Sequence, residues 1–291
     1  MILITGASGK TGRSITRMLK NAGVAVRAMV HQAAQVPLLE SAGASEAIVG
    51  DLQSRADLDR ACRGIQAVYH ICPNMHPQEA AIARDLLAAA VQAGVERFVY
   101  HSVFHPQIEA MPHHWNKMRA EELIFTSGLS YTILQPCAYM QNVLGYWPQI
   151  STQGIYPVPY SVDARLSVVD LEDVAQIAAN VLVDPGHTGA TYELCGPEPL
   201  TQVEVADCLS RELGKPVQAV AVALPAWEKQ ARASGLNDYA RQTLIKMFEY
   251  YDHYGLVGNP TVLAWLLKRQ PTLFADFVQR ACAERETASL Q

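Results

Sequence analysis

The chain has 291 residues, 49% of them hydrophobic, and a formal net charge of -5. That length suits two domains, or one large domain with an added lobe, and is ample for a core without staples. The charge balance gives no electrostatic ground for a nucleic-acid or acidic-membrane partner, so a small molecule is expected instead.

The first residues, MILITGASG, read as a core strand and not as a signal peptide. No run approaches the roughly 18 apolar residues of a membrane span, so a cytoplasmic chain with no membrane partner is expected. Further strands are predicted at Val24–Val30, Glu46–Val49, Ala67–Ile71, Arg97–His101 and Ser130–Gln135. Amphipathic helices are predicted between them at Gly12–Asn21, Val36–Ser41, Ser54–Cys62, Gln78–Ala93 and His113–Thr126. Repeated β-α alternation implies an α/β fold with a doubly wound parallel Rossmann sheet covered on both faces. Gly23, Gly43, Gly94 and Gly128 each fall where a helix should stop.

After Pro136 the rhythm changes. Tyr146–Tyr160 is expected to be a loop or small ribbon, Leu166–Val169 a strand, Asp170–Val183 a helix and Ala190–Cys195 a strand. Thr201 and Glu204 form a capping box for a helix ending near Gly214. From Ala226 on the pattern is almost wholly helical, and Thr287–Gln291 is expected to fray. The division that follows is a dinucleotide-binding domain over 1–136, with 165–195 returning to it. The remainder, 137–164 and 196–291, makes a smaller, mostly helical C-terminal lobe. The cysteines Cys62, Cys72, Cys137, Cys195, Cys208 and Cys282 have neither C-x-x-C nor zinc spacing, so free thiols and no metal are expected.

The strongest motif is Gly6-Ala7-Ser8-Gly9-Lys10-Thr11-Gly12, which leaves a predicted strand and opens a predicted helix. In a dinucleotide site the first glycine allows the turn, the second admits the pyrophosphate and the third lets helix and strand pack closely. The helix N-terminus adds N–H groups and a positive dipole end. Valine at Gly9 or Gly12 is therefore expected to abolish nucleotide binding and leave a folded protein. At the end of the second strand, NAD-selective folds place Asp or Glu against the ribose 2′-hydroxyl. No acidic residue lies between Val24 and Leu39. Arg27 and His31, on one side of the strand by alternation, offer basic groups for a 2′-phosphate, so NADP(H) is favoured over NAD(H). After the third strand, Asp51 and Leu52 either lie against the adenine or belong to a solvated helix start.

Strand-end loops build the site in such folds. They select Cys72-Pro73-Asn74, Ser102, His113, Lys117, Pro136-Cys137, Tyr139 and Asn142. His113 and Lys117 are four apart on one helix and share a face. Each has a plain alternative: a surface histidine, a solvated helix lysine, and for Ser102 a cap on its own loop.

Together the glycine loop, Gly50-Asp51, Ser102, Lys117, the run Ser127–Pro136, Tyr139–Asn142, Asp170–Ala175 and Tyr192–Thr201 resemble the NmrA-like branch of the atypical short-chain dehydrogenases. The resemblance covers nearly the whole chain. It implies a Rossmann domain with a small C-terminal lobe, the nicotinamide held in the cleft between them, and Lys117 on the nicotinamide ribose. Family members include NADPH-dependent reductases of quinones, dyes and plant phenolics, and regulators that bind the dinucleotide without turning it over. Many members carry Arg where this chain has His31, and short-chain dehydrogenases usually carry Tyr where it has His113.

A site without that Tyr suits a hydride acceptor that needs no strong proton donor. The expected function is hydride transfer from NAD(P)H to a small flat acceptor of the quinone, dye or enone class. Lys117 and Ser102 would stabilise the developing anion, with the proton taken from water, from Lys117 or from a histidine such as His113. The alternative is a non-catalytic NAD(P) sensor that binds a protein partner. A sugar-nucleotide epimerase is disfavoured by the missing Y-x-x-x-K.

Overall fold

The apolar run after Met1 forms β1 (Ile2–Ile4), buried on both faces as a central parallel strand must be. The computed structural model describes residues 1–289, with side chains to Arg285. From β1 the chain alternates through α1 (Lys10–Asn21), β2 (Val26–Val30), α2 (Val36–Ala42), β3 (Glu46–Val49), α3 (Arg55–Cys62) and β4 (Ala67–His70). It continues with α4 (Glu79–Gln92), β5 (Arg97–His101), α5 (Pro112–Phe125) and β6 (Ser130–Pro136). The four glycines predicted to end helices all have left-handed φ, between 72° and 97°. Next come β7 (Ala138–Tyr139), α6 (Trp147–Gln153), β8 (Ile155–Val158), β9 (Leu166–Val169), α7 (Leu171–Val183) and β10 (Ala190–Leu194). The chain ends with β11 (Pro199–Leu200), α8 (Gln202–Leu213), β12 (Gln218–Ala221), α9 (Leu224–Ala233), α10 (Asp238–Tyr254), α11 (Thr261–Leu267) and α12 (Phe274–Ser289).

The main sheet has the order β10-β6-β5-β4-β1-β2-β3. β1 pairs in parallel with both β2 and β4, which are themselves extended in parallel by β3, β5 and β6. The chain thus builds outward in opposite directions from β1 and β4. In such sheets the crevice beyond the C-terminal ends of those two strands is where ligands sit. On one face Leu3, Val68, Phe98 and Ile133 of the strands pack with Leu58 of α3, Leu86 of α4 and Ile124 of α5.

Two compact units result. The first is Met1–Glu109, His113–Pro136 and Val174–Tyr192; the second takes Ala110–Pro112, Cys137–Asp173 and the chain from Glu193 onward. The return to the first unit is shorter than the expected 165–195, because β9 pairs with β7 and β11 and not with the main sheet. Within the second unit Ile150, Tyr156, Leu209, Phe274 and Phe277 share a core. Tyr146–Tyr160 is more ordered than expected. Pro148 lies in the first turn of α6, where a missing N–H costs nothing, and β8 pairs in parallel with β12, a strand the sequence pattern did not announce. Thr201 and Glu204 make the predicted capping box, worth about 1 kcal/mol. α12 runs on to Ser289, through part of the segment Thr287–Gln291 that was expected to fray, and the rest of that segment lies outside the described residues.

Among the described residues no helix is long and apolar enough to cross a membrane, and no group of His, Cys, Asp and Glu side chains could hold a metal ion. None of the six cysteines is in a disulfide.

Candidate functional site

Three glycines of the first loop do different work. Gly6 turns with φ +60°, and a Cβ there would come within 2.8 Å of the Ile71 carbonyl oxygen at the end of β4. A Cβ at Gly12 would meet Ala7 Cα at 2.5 Å and the Gly6 carbonyl oxygen at 2.7 Å. Both are required by the fold itself: valine at Gly12 must displace backbone, which corrects the expectation that it leaves the protein intact. Gly9 is different. Its φ of -70° and ψ of 165° suit any residue, and a Cβ there would find only the Gly6 carbonyl oxygen, at 3.4 Å. Gly9 is also exposed, at the N-cap of α1, whose first turn carries no acidic residue and whose cap makes no side-chain hydrogen bond. A glycine that the chain does not need, at the positive end of a helix above the β1/β4 crevice, fits the close approach of a phosphate group. Around it Ser8 is half-buried, Lys10 exposed and Thr11 buried.

The structure removes Arg27 from the candidates for a 2′-phosphate. Its guanidinium donates to Glu46 Oε2 at 2.9 Å and to the carbonyl oxygens of Ala61 and Arg63 at 2.8 and 2.7 Å. It ties β2 to β3 and to the end of α3. His31 lies just past the other end of β2 and is exposed, four residues or about 13 Å along. The same-side argument fails because β2 ends at Val30. Asp51 starts the turn into α3: its Oδ1 accepts from the Gln53 N–H at 2.9 Å, and its Oδ2 has no partner among the described residues. Leu52 packs on the core.

The remaining strand-end residues of the first unit converge on one buried polar cluster. Lys117, 6% exposed, donates to Glu79 Oε1 at 2.6 Å and to the His101 carbonyl oxygen at 3.0 Å. Glu79 is fully buried, and the same oxygen accepts from the Tyr100 hydroxyl at 2.7 Å. An ammonium has three N–H donors, so Lys117 keeps one without a partner among the described residues. Ser102 Oγ donates to Glu121 Oε1, and Gln135 Nε2 donates to both Glu121 oxygens at 2.9 and 3.0 Å. Burial pushes the Glu121 carboxyl up, against the pull of those bonds. Ser102 therefore has its proton committed to Glu121, which displaces it as the oxyanion donor.

His113 is buried at 8% exposure, and its Nδ1 has no hydrogen-bond partner among the described residues. Burial, then the positive Lys117, then His114 hold it well below the ordinary imidazole value. At neutral pH it is an uncharged imidazole, which corrects its expected part as an imidazolium acid. Burial first and then Lys117 push His70 and His101 down to about 3, with His70 adding to the shift of His101. His70 Nδ1 shares a 2.8 Å hydrogen bond with Thr5 Oγ1, which lies directly below the glycine loop.

Cys72 is buried beside this cluster, its thiol pushed up by burial and then by Glu79, while Pro73 and Asn74 are exposed. Pro136 accepts the Phe104 N–H at 2.9 Å. Tyr139, half-buried, and Asn142, exposed, belong to the second unit, and Cys137 Sγ lies 2.7 Å from Cys195 Sγ in the same unit. Glu79, Tyr100, His70 and Glu121 were missed by sequence reasoning. The one available signal was the position of Glu121 on the Lys117 helix.

The profile of the NmrA-like family matches residues 1–286. The NAD(P)H azoreductase of Xenophilus azovorans is 28% identical over 288 residues, 97% of this chain and 98% of its own. The (4-alkanoyl-5-oxo-2,5-dihydrofuran-3-yl)methyl phosphate reductase of Streptomyces griseus is 34% identical over 222 residues, 75% of this chain and 76% of its own. The solved NADPH complex of an Escherichia coli NADPH-dependent quinone oxidoreductase superposes with a TM-score of 0.84 at 26% identity, covering 97% of this chain and 99% of that one.

Proposed function

The chain belongs to the NmrA-like family, and from that premise we propose that it is an NAD(P)H-dependent oxidoreductase acting on small, flat, conjugated acceptors. The observation that carries the reading is the buried Lys117, held by two bonds with a third N–H unspent. Its relatives are named for an azo, a quinone and a dihydrofuranone substrate class. Those share a feature: charge arriving on the acceptor is delocalised, so protonation needs no strong acid. That matches a site whose His113 is uncharged at neutral pH.

When bound, the dinucleotide supplies a hydride. The chain does the rest. The loop Gly6–Gly12 and the N-terminus of α1 receive the pyrophosphate, with Gly9 leaving room for it, and the open Oδ2 of Asp51 is placed to accept from an adenine amine. The third N–H of Lys117 serves the nicotinamide ribose, and the ammonium stabilises negative charge as it develops on the acceptor. NADP(H) is favoured over NAD(H): no carboxylate between Val24 and Leu39 opposes a 2′-phosphate, and His31 stands exposed beyond β2. The cysteine spacing suits free thiols in a reducing cytoplasm.

The test is oxidation of NADPH and NADH by purified protein against quinones, azo dyes and conjugated enones. At least one class should be reduced well above buffer. Lys117→Met should lower kcat at saturation by about tenfold to a thousandfold. A protein that binds NADPH tightly yet reduces no acceptor would refute the enzyme and turn the search toward a protein partner that reads the nucleotide.

A further inference from the structure

Lys117 and Glu79 meet where water does not compete. Glu79, in the first turn of α4, is 0% exposed, and Lys117, on α5, is 6% exposed. Such an ammonium, left alone, gives up its proton readily because burial penalises the charged form. The groups that face it are His70 and Cys72 from the β4 side, Tyr100 and His101 from β5, and His113, His114 and Glu121 from α5. The imidazoles are driven to the neutral form by burial, and the Cys72 thiol and Tyr100 hydroxyl are driven the same way. Glu121 spends its bonds on Ser102 and Gln135. Among the described residues only Glu79 touches the ammonium with a carboxylate, at 2.6 Å, and the Tyr100 hydroxyl at 2.7 Å braces the same oxygen.

We propose that Glu79 is a positioning residue for this reaction: its braced carboxylate keeps Lys117 charged and aims its remaining N–H at the bound dinucleotide or acceptor. The inference rests on the oxidoreductase reading of Lys117. A pair that merely glued α4 to α5 would be equally buried, so the two roles must be separated by pH. In the first case, removing the carboxylate lets Lys117 discharge within the working range. In the second, it costs the same at every pH.

Glu79→Gln keeps an oxygen for Lys117 and Tyr100 and removes the charge. NADPH affinity, read by nucleotide fluorescence, and kcat with a quinone are followed between about pH 6 and 10. The variant should match wild type within about threefold at the acid end and lose both quantities at least one pH unit earlier as pH rises. Superimposable profiles, or an offset constant with pH, would overturn the proposal. Circular dichroism checks the fold. Should Glu79→Gln not fold, Glu79→Asp decides: a retained charge on a shorter arm should keep the wild-type alkaline limb and lower kcat evenly, and a shifted limb would overturn the proposal. Wild-type protein that does not bind NADPH would remove the oxidoreductase reading and this inference together. Wild-type protein that binds but does not turn over would remove only the enzyme, and the binding profile would still judge Glu79.

Discussion

Replacing Gly9 with valine separates what the first loop does for the fold from what it does for a ligand. The backbone at Gly9 is already extended, with φ -70° and ψ 165°. The added Cβ meets one carbonyl oxygen at 3.4 Å, an ordinary contact. Restricting the unfolded chain gains about 0.4–1 kcal/mol, and the loss of a favourable N-cap glycine to valine offsets it, so the melting temperature should change little. The isopropyl group, however, fills the space above the α1 N-terminus. If a pyrophosphate belongs there, NADPH affinity should fall at least a hundredfold, about 2.7 kcal/mol. Gly12→Val is the counter-experiment. Its Cβ lies 2.5 Å from Ala7 Cα and 2.7 Å from the Gly6 oxygen, so helix and loop must part, at a cost of about 1–3 kcal/mol or more. Calorimetric titration and a melting curve on each variant give the comparison. Gly9→Val that binds NADPH as tightly as wild type would refute the assignment of the loop, whatever Gly12→Val does.

Two further outcomes follow from the same structure. His31→Arg should tighten NADPH by about 1.5–3 kcal/mol, the scale of a charge-assisted hydrogen bond, and leave NADH unchanged; equal gains for both nucleotides would take His31 away from the 2′ position. Acid should weaken the fold early, because burial above all holds His70 and His101 near about 3 and His114 near about 4. Their folded affinities for protons lie below that of an unfolded imidazole, near 6.5, so the unfolded chain binds protons that the native one refuses. That stability is whole above about pH 6.5 and drains at about 1.4 kcal/mol per group per pH unit as pH falls toward 4. Urea midpoints at successive pH values check it, and a flat profile between about pH 7 and 5 would contradict the burial of these side chains.

The parts of the molecule that could be read from the sequence are those whose cause is local. β1 announces itself because a strand covered on both faces is apolar throughout, β4 and β5 through the apolar runs Ala67–Tyr69 and Phe98–Tyr100, and the helices between them end at glycines that alone turn left-handed without strain. The loop Gly6–Gly12 is legible for the same reason, since its glycines leave one strand and open one helix, although Gly6 also meets Ile71 at the end of β4. β12 is not: Gln218–Ala221 becomes a strand only because Ile155–Val158 lies beside it. Arg27 shows the same limit at the level of a side chain. Its position on β2 suggested a phosphate, and its actual partners, Glu46, Ala61 and Arg63, come from two other elements.

The buried cluster is where this limit bears hardest on function. Lys117, His113 and Ser102 could be placed near one another from strand order and from the family pattern, but their partners could not. Lys117 is bonded to Glu79, which is 38 residues away from it in the chain. In sequence Glu79 has an ordinary meaning, an acidic residue in a helix first turn where the dipole favours it, and nothing in its neighbours contradicts that. Burial alone changes the meaning. An exposed lysine and a first-turn glutamate are solvated and independent; enclosed together beneath Tyr100 they become one unit. Lys117 is then paired with Glu79 at 2.6 Å, and burial holds the imidazoles of His70, His101, His113 and His114 below their ordinary value around it. The replacement of the usual tyrosine by His113 thereby acquires a physical reading. An imidazole that is buried, and that also lies one helical turn from the positive Lys117, is held below its ordinary value first by burial and then by that charge, so the position offers no strong acid beside Lys117.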